Sequence, residues 1–190
     1  MQNKTKRLTE SAMLLAMAIV LELVSKMFIP GLPFGGQITI CSMLPVVLIS
    51  YRHGVRWGLA SSAVYALIEM AIGSKNVVAF TVLGLGGCFR NRIQNPGAAL
   101  ALGSVVALSA RFASHIASGY ILFSGWAEWF FTQEGFPAWG AALVEKLSPE
   151  MLGLAYSVVY NAMNMVPEII LTAIVAFLIA KVPKIVVKVS

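Results

Sequence analysis

The sequence predicts an all-α integral membrane protein with six transmembrane helices and both termini in the cytoplasm. The first observation is composition: 58% of the residues are hydrophobic, 12% are charged, and the mean hydropathy is +0.82. Soluble domains average roughly 45–50% apolar and about 25% charged residues. The second is the length of the apolar runs, since a spanning helix needs about 20 such residues. The 190 residues therefore hold about six spans, and we predict one membrane domain over residues 1–190.

Apolar runs and the breakers between them place each helix. The first run ends before Pro30, and the short second run leads into a basic turn from Tyr51 to Arg56. Gly73 ends the third run, and Pro96 precedes the fifth. A long aromatic and acidic loop from Gly125 to Pro149 separates the last two helices. The predicted helices cover residues 8–28, 39–50, 56–72, 77–89, 98–123 and 152–180.

The positive charges determine the predicted orientation. In a six-span arrangement, ten of the fourteen Lys and Arg residues fall on one side of the membrane. Glu128, Glu134, Glu145 and Glu150 fall on the other side. Cytoplasmic connections carry the excess of Lys and Arg, so both termini are predicted to be cytoplasmic. The ten residues are Lys4, Lys6, Arg7, Arg52, Arg56, Arg90, Arg92, Lys181, Lys184 and Lys188.

Several classes of function are disfavoured by what the chain lacks. The net charge of +6 comes from short clusters between apolar runs, so we predict no nucleic-acid partner. Cys41 and Cys88 lie in apolar segments and are expected to be free thiols. The chain has no Asp, no catalytic or nucleotide-binding motif and no spaced metal ligands, so we expect no catalytic residues, metal or cofactor. The first run lacks a convincing cleavage site, which favours a helix over a signal peptide.

Ionisable groups inside the predicted spans are the main candidates for function, because each costs about 2.5–3.5 kcal/mol to insert. His115 and Asn161 both lie roughly 12 Å below the outer ends of their helices. Tyr156 lies one to two turns above Asn161, and Glu69 also lies in the outer half of its helix. These side chains therefore share one level, which indicates a binding cavity open to the outside. Lys75 lies in the connection at the same end.

Other assignments have two interpretations at this stage. Arg111 lies four residues before His115 and at a depth similar to Glu168, which suits either an ion pair between helices or a ligand contact. His115 itself suits either a ligand contact or a hydrogen bond between helices. The aromatic loop residues Trp126, Trp129 and Trp139 form either an interfacial belt or a lid that stacks on a planar ligand. Small residues at Ala12 and Ala16 allow another helix to approach closely.

The order of several short motifs resembles the thiamine-specific S components of energy-coupling-factor (ECF) transporters. The resemblance covers nearly the whole chain and is most specific in the last helix. The matching residues are Tyr156 to Asn161 with Met165 to Glu168, then Ala110 to Phe112 with His115, Ser118 and Gly119, then Ser42 to Pro45 with Tyr51 to Gly54, and Ala79, Phe80 and Leu83 to Leu85.

This resemblance implies a six-helix subunit of a bacterial cytoplasmic membrane that binds thiamine near its outer face. His115, Tyr156 and Asn161 would line the pocket. The implied partners are a transmembrane coupling subunit, which would dock on the face of Ala12 and Ala16, and two ATPase subunits that hydrolyse ATP. The loops after the first helix and before the last would act as gates.

Three residues differ from the family pattern and keep other ligands open. Lys75 and Asn76 stand where the family has a glutamate and an aromatic residue, and Gln37 stands where it tends to have a tryptophan. A lysine would repel the cationic thiazolium of thiamine. Either Glu22 or Glu69 substitutes for the glutamate, or the long aromatic loop supplies the stacking contact, or the ligand is another pyrimidine, a thiazole or an anionic vitamin. A membrane enzyme using Glu69, His115 and Arg111, or a small transporter that acts alone, is a weaker hypothesis because neither has its expected motifs.

Overall fold

The computed structural model describes residues 2–32, 34, 36–73 and 76–187, and within these ranges the chain is helical without any β-strand. Two short 3₁₀ segments, Val82–Gly87 and Ser124–Trp126, also occur in these ranges. The predicted all-α class is therefore confirmed. The helices are α1 (Gln2–Phe28), α2 (Leu44–His53), α3 (Val55–Ile72), α4 (Val77–Thr81), α5 (Pro96–Phe123), α6 (Ala127–Thr132), α7 (Trp139–Lys146) and α8 (Pro149–Ile179).

Side-chain caps and prolines start three of these helices. Asn95 accepts a hydrogen bond from the Ala98 amide at 3.1 Å, and Pro96 occupies the first turn of α5. Ser148 and Pro149 form the same arrangement at α8. Asn76 caps α4 through the Ala79 amide at 3.0 Å. Such residues satisfy amides that have no partner inside the helix, so the local sequence determines where each helix begins.

Four helices are long and apolar enough to cross a bilayer: Lys4–Phe28, Val55–Ile72, the long segment that begins at Pro96, and Pro149–Ile179. Helix α2 has 10 residues, and α4 with its 3₁₀ segment also forms a short apolar element. At 1.5 Å per residue, α2 is only about 15 Å long. The chain is thus a multi-pass membrane protein, and the count of six spans stays a prediction.

One end of the bundle gathers the basic residues, and we call it the basic end. Arg7 Nη2 donates to the His53 carbonyl at 3.2 Å. Arg52 pairs with Glu10 at 2.5 Å and donates to the carbonyls of Lys184 and Ile185 at 3.0 and 2.9 Å. Both ends of the described chain therefore meet at the turn between α2 and α3.

Small residues allow the 3₁₀ segment to pack at the centre of the bundle. A methyl group at Gly84 would overlap the backbone of Leu59 in α3, and one at Gly87 would overlap the Ser50 carbonyl in α2. Ser50 Oγ donates to the Gly84 carbonyl and accepts from the Gly87 amide at 2.9 Å. The backbone of the 3₁₀ segment therefore lies in direct contact with α2 and α3, and only glycine permits so close an approach.

The connection predicted as a loop from residue 125 to 149 contains two short helices. Phe130 and Phe131 of α6 are buried, and they pack with Phe136 and with Leu152 of α8 in a second hydrophobic cluster. Phe34, from the connection after α1, joins this cluster, and its ring centroid lies 4.9 Å from that of Phe136. We call residues 124–147 the cap, because they cover the end of the bundle opposite the basic end.

Candidate functional site

A cavity of about 170 Å³ lies between α5 and α8 beneath the cap. It is lined by residues that include three of the predicted ligand contacts. An apolar cavity of about 150 Å³ is large enough for a benzene ring. This space therefore suits one planar ring with polar groups at its edge. The lining residues are His115, Ser118, Gly119, Phe123, Tyr156, Tyr160 and Asn161.

The close approach of α5 and α8 positions these side chains. Ser157 Oγ donates to the Ile116 carbonyl at 2.7 Å, and a methyl group at Gly119 would overlap that hydroxyl. Asn161 Nδ2 donates to the Ser157 carbonyl at 2.8 Å and more weakly to the His115 carbonyl at 3.4 Å. Asn161 thus joins the two helices at the level of His115 while also lining the cavity.

Asn76 connects the start of α4 to the same wall of the cavity. Its Nδ2 donates to Ser118 Oγ at 2.8 Å and to the Ser114 carbonyl at 3.2 Å. Its Oδ1 accepts from Ser114 Oγ at 3.2 Å besides capping α4. Both atoms of this amide are therefore satisfied, and Ser118 is held by a residue that does not itself line the cavity.

Aromatic rings of the cap cover the tyrosines of the site. Phe130 meets Tyr156 and Tyr160 edge to face, with centroids 5.1 and 5.9 Å apart. Phe34 packs against Phe130 at 6.4 Å, so the connection after α1 reaches the same cluster. Edge-to-face packing is a favoured arrangement for aromatic rings. The two connections predicted as gates are thus in contact above the cavity.

Arg111 lies one turn below His115 and does form the predicted pair with Glu168. Nη1 of Arg111 is 3.7 Å from Oε1 of Glu168, and its guanidinium lies 4.8 Å above the ring of Phe80. Thr39 donates to the same Glu168 oxygen at 2.7 Å. Among the described residues, Nε and Nη1 of Arg111 have no hydrogen-bond partner. The pair is therefore long, and the arginine retains donors for a further group.

Glu69 belongs to a separate polar cluster between α1 and α3. Tyr65 donates to Glu22 at 3.1 Å, and Lys26 pairs with Glu22 at 2.6 Å. Glu69 interacts with both Tyr65 and Glu22 and is 3% exposed. The ring centroids of Tyr65 and Phe80 are 5.6 Å apart, and Phe80 lies between this cluster and Arg111. Glu69 is not among the residues that line the described cavity.

Both the sequence and the fold are similar to those of known proteins. The model of a family described as thiamine transporter protein matches residues 8–187. The thiamine transporter ThiT of Bacillus subtilis (strain 168) is 32% identical over 193 residues, which cover 91% of this chain and 89% of that protein. The chain belongs to the thiamine transporter family. The suspected resemblance is thereby confirmed.

A solved structure of ThiT from Listeria monocytogenes has the same fold. The two superpose with a TM-score of 0.67 and 17% sequence identity, over 97% of this chain and 98% of that one. Because the likeness extends over both chains, the cap and the bundle together correspond to the family fold. Membership in a transporter family also places the chain among transport proteins and not among enzymes.

The other predicted site residues that the structure describes in this family member lie outside the cavity. Trp126, Trp129 and Trp139 are about half exposed on the cap, so ligand contacts by these rings stay a prediction. Lys75 lies outside the described residues. Ala12 and Ala16 are exposed on α1, as a docking face requires, although docking itself stays a prediction. No group of three metal-binding side chains occurs in the described part of the chain.

Sequence reasoning missed two contributors to the site. The family pattern marks Asn76 only as a departure, and its position before an apolar run is the signal for a helix cap. Phe130 was one of several aromatic residues in the cap. Its burial beside exposed Trp129 depends on how α6 folds onto α8, which a run of aromatic residues does not specify.

Proposed function

We propose that this chain is the substrate-binding subunit of an ECF-type importer and that it binds thiamine beneath the cap. The observation that carries the proposal is the cavity between α5 and α8, where His115, Tyr156 and Asn161 converge. Tyr156 and Asn161 lie 41 and 46 positions after His115 in the chain. The family and its Bacillus subtilis relative are named for thiamine transport.

The cavity accepts one of the two rings of thiamine. Its polar edge offers the imidazole of His115, the amide of Asn161 and the hydroxyls of Ser118 and Tyr156, which suit the nitrogen atoms and amino group of a pyrimidine. Tyr156 and Tyr160, which line the cavity beneath Phe130, provide ring faces for a planar cation. Arg111, Glu69 and Lys75 remain proposed contacts for the rest of the ligand.

Calorimetric titration of the purified protein in detergent with thiamine tests this proposal. We expect submicromolar binding, and a loss of affinity of at least tenfold in His115→Ala and in Asn161→Ala, because each removes a polar group from the cavity edge. Asn95→Ala is the matched control, since Asn95 caps α5 outside the cavity. Absence of thiamine binding by folded wild-type protein would reject thiamine, and anionic vitamins would then be titrated.

We also propose that the chain spans the membrane six times with both termini in the cytoplasm. Contacts of Arg52 with Glu10 and with the carbonyls of Lys184 and Ile185 support termini on the same side. The basic residues at that end support its cytoplasmic location. A single cysteine at Glu134 of the cap should react with an impermeant maleimide in whole cells, whereas one at Gln94 should not. The reverse pattern would contradict this orientation.

The partners in this proposal are a transmembrane coupling subunit and two ATPases. Ala12 and Ala16 are exposed on α1, beside an apolar groove of about 610 Å³ between α1, α2 and α8. Met13 and Met17 line the groove on α1, and Leu44 and Leu48 line it on α2. Flexible methionines adapt to a partner's side chains, which supports docking on this face.

A further inference from the structure

The cap has two aromatic faces, and only one of them faces the protein. Phe130 and Phe131 are each 1% exposed and pack on α8 and on each other. Trp126, Trp129 and Trp139 are 57%, 58% and 48% exposed. Successive side chains of an α-helix are rotated by about 100° around its axis, so Trp129 and Phe130 of α6 point in different directions. The inward face covers the site. On the outward face, Trp126 and Trp129 pack edge to face with centroids 5.8 Å apart, and Trp139 packs with one side against Phe131 and Phe136 while about half of it stays exposed.

The outward face continues the lipid-facing surface of two spanning helices. At the end of α5, Ile121 is 75% and Leu122 is 59% exposed, and Phe123 leads directly into Trp126. On α8, Met151 and Leu154 are exposed at the same end. Gly153 of α8 lies against Ser124, which places these two apolar surfaces side by side. The exposed apolar surface therefore extends from the bundle onto the cap.

The charges of the cap limit how deeply it enters the membrane. Glu128, Glu134 and Glu145 are exposed, and Lys146 is the basic residue beside them. Carboxylates disfavour the hydrocarbon interior, whereas indole rings favour the boundary between water and hydrocarbon. The excess of carboxylates also favours zwitterionic over anionic headgroups. Both features suit a segment that lies in the plane of the headgroup region.

We propose that the cap is a membrane-interface element whose three tryptophans insert at the headgroup boundary of a zwitterionic phospholipid leaflet. The lipid holds one face of the cap while the opposite face covers Tyr156 and Tyr160 through Phe130. Insertion of the tryptophans then opposes opening of the cap. This second step rests on the proposed function, whereas the lipid contact does not.

Fluorescence quenching in phosphatidylcholine vesicles tests the lipid contact. Trp57 lies at the basic end, where its Nε1 donates to Ser11 at 2.9 Å, and Trp57→Phe leaves only the three cap indoles as reporters. We expect nitroxide lipids labelled near the headgroup to quench this variant at least twofold more than lipids labelled near the chain end. Acrylamide should quench it less than free tryptophan. Quenching by acrylamide equal to that of free tryptophan, without quenching by either lipid, would overturn the proposal.

A kinetic comparison tests the effect on the site. Trp126→Ser combined with Trp129→Ser should increase the rate of thiamine dissociation several-fold more in vesicles than in detergent, where no bilayer opposes opening. An equal increase in both media would assign these rings to the ligand and reject the coupling through lipid. Trp57→Phe serves as the control in both media. Equal rates for wild type and the double variant in vesicles would reject the coupling to the site. If thiamine does not bind at all, the proposed function fails, and the lipid quenching still decides the membrane contact.

Discussion

At the scale of single residues, the site depends on amides and hydroxyls that each make two kinds of contact. Asn161 lines the cavity and also joins α8 to the His115 carbonyl. Ser118 lines the cavity and accepts from Asn76. A buried polar group in a membrane protein is costly without a partner, so these bonds hold the side chains in one orientation. The same residues thereby contribute to stability and to the shape of the cavity.

Asn76→Ala should lower the stability of the protein and disturb the shape of the cavity. It removes the bonds to Ser114 and Ser118 together with the cap of α4, and each hydrogen bond contributes about 1 kcal/mol net. We expect a lower midpoint of thermal unfolding in detergent and a several-fold loss of thiamine affinity by calorimetry. Asn95→Ala removes only a helix cap and should lower stability with unchanged affinity. Equal affinities for both variants and wild type would show that Asn76 does not position the site.

At the scale of elements, the 3₁₀ segment Val82–Gly87 depends on backbone contact with its neighbours. A methyl group at Gly103 of α5 would overlap the carbonyl oxygen of Gly86, which is backbone and cannot rotate away. Glycine in a helix normally costs about 1 kcal/mol relative to alanine. Its presence at Gly103 therefore reflects the close packing of α5 against the 3₁₀ segment.

Gly103→Ala should destabilise the protein despite the higher helix propensity of alanine. Overpacking of this kind costs about 1–3 kcal/mol, which exceeds the gain in propensity. The measurement is the midpoint of thermal unfolding in detergent. Gly125→Ala is the matched control, because no atom lies within 4 Å of the added methyl group. A midpoint for Gly103→Ala equal to or above that of the control would contradict the packing argument.

At the scale of the whole molecule, Arg52 holds three distant parts of the chain together. It contacts Glu10 of α1 and two carbonyls after α8, while His53 lies 3.0 Å from the other oxygen of Glu10. The guanidinium group suits this role because it offers five donors in a planar arrangement. The ion pair is only partly exposed, so its loss leaves a charge without its partner.

Glu10→Gln should therefore lower the free energy of unfolding by about 1–3 kcal/mol, since it leaves Arg52 and its neighbours without a counter-charge. Glu134→Gln in the exposed turn of the cap is the control and should change stability by less than about 0.5 kcal/mol. Thermal unfolding in detergent compares the two variants. Similar midpoints would indicate that the cluster at the basic end contributes little to stability.

Assembly with the coupling subunit is expected to involve the exposed alanines of α1. Ala12→Leu with Ala16→Leu should reduce co-purification with a coexpressed coupling subunit and its ATPases, because the added side chains prevent close helix contact. Ala60→Leu on the exposed side of α3 is the matched control. Thiamine binding by the isolated variant should stay at the wild-type level. Unchanged co-purification of the double variant would exclude this face from the interface.

The sequence by itself determined the helical class, the membrane setting and the family. Long apolar runs require lipid around them, and the spacing of His115, Tyr156 and Asn161 in recognisable motifs carried the resemblance. These properties are local, because hydropathy and short motifs depend on residues that are close in the chain.

Only the tertiary structure decided which polar groups meet. It brought Asn76 to Ser118, buried Phe130 above the tyrosines while exposing the tryptophans beside it, and placed Glu69 in a cluster apart from the described cavity. The predicted depth of Glu69 did not reveal this separation, because residues at one level of a bundle can face different neighbours. Which neighbour each side chain contacts depends on helix rotation and on close approaches such as Gly119 against Ser157, and these arise only when the helices pack.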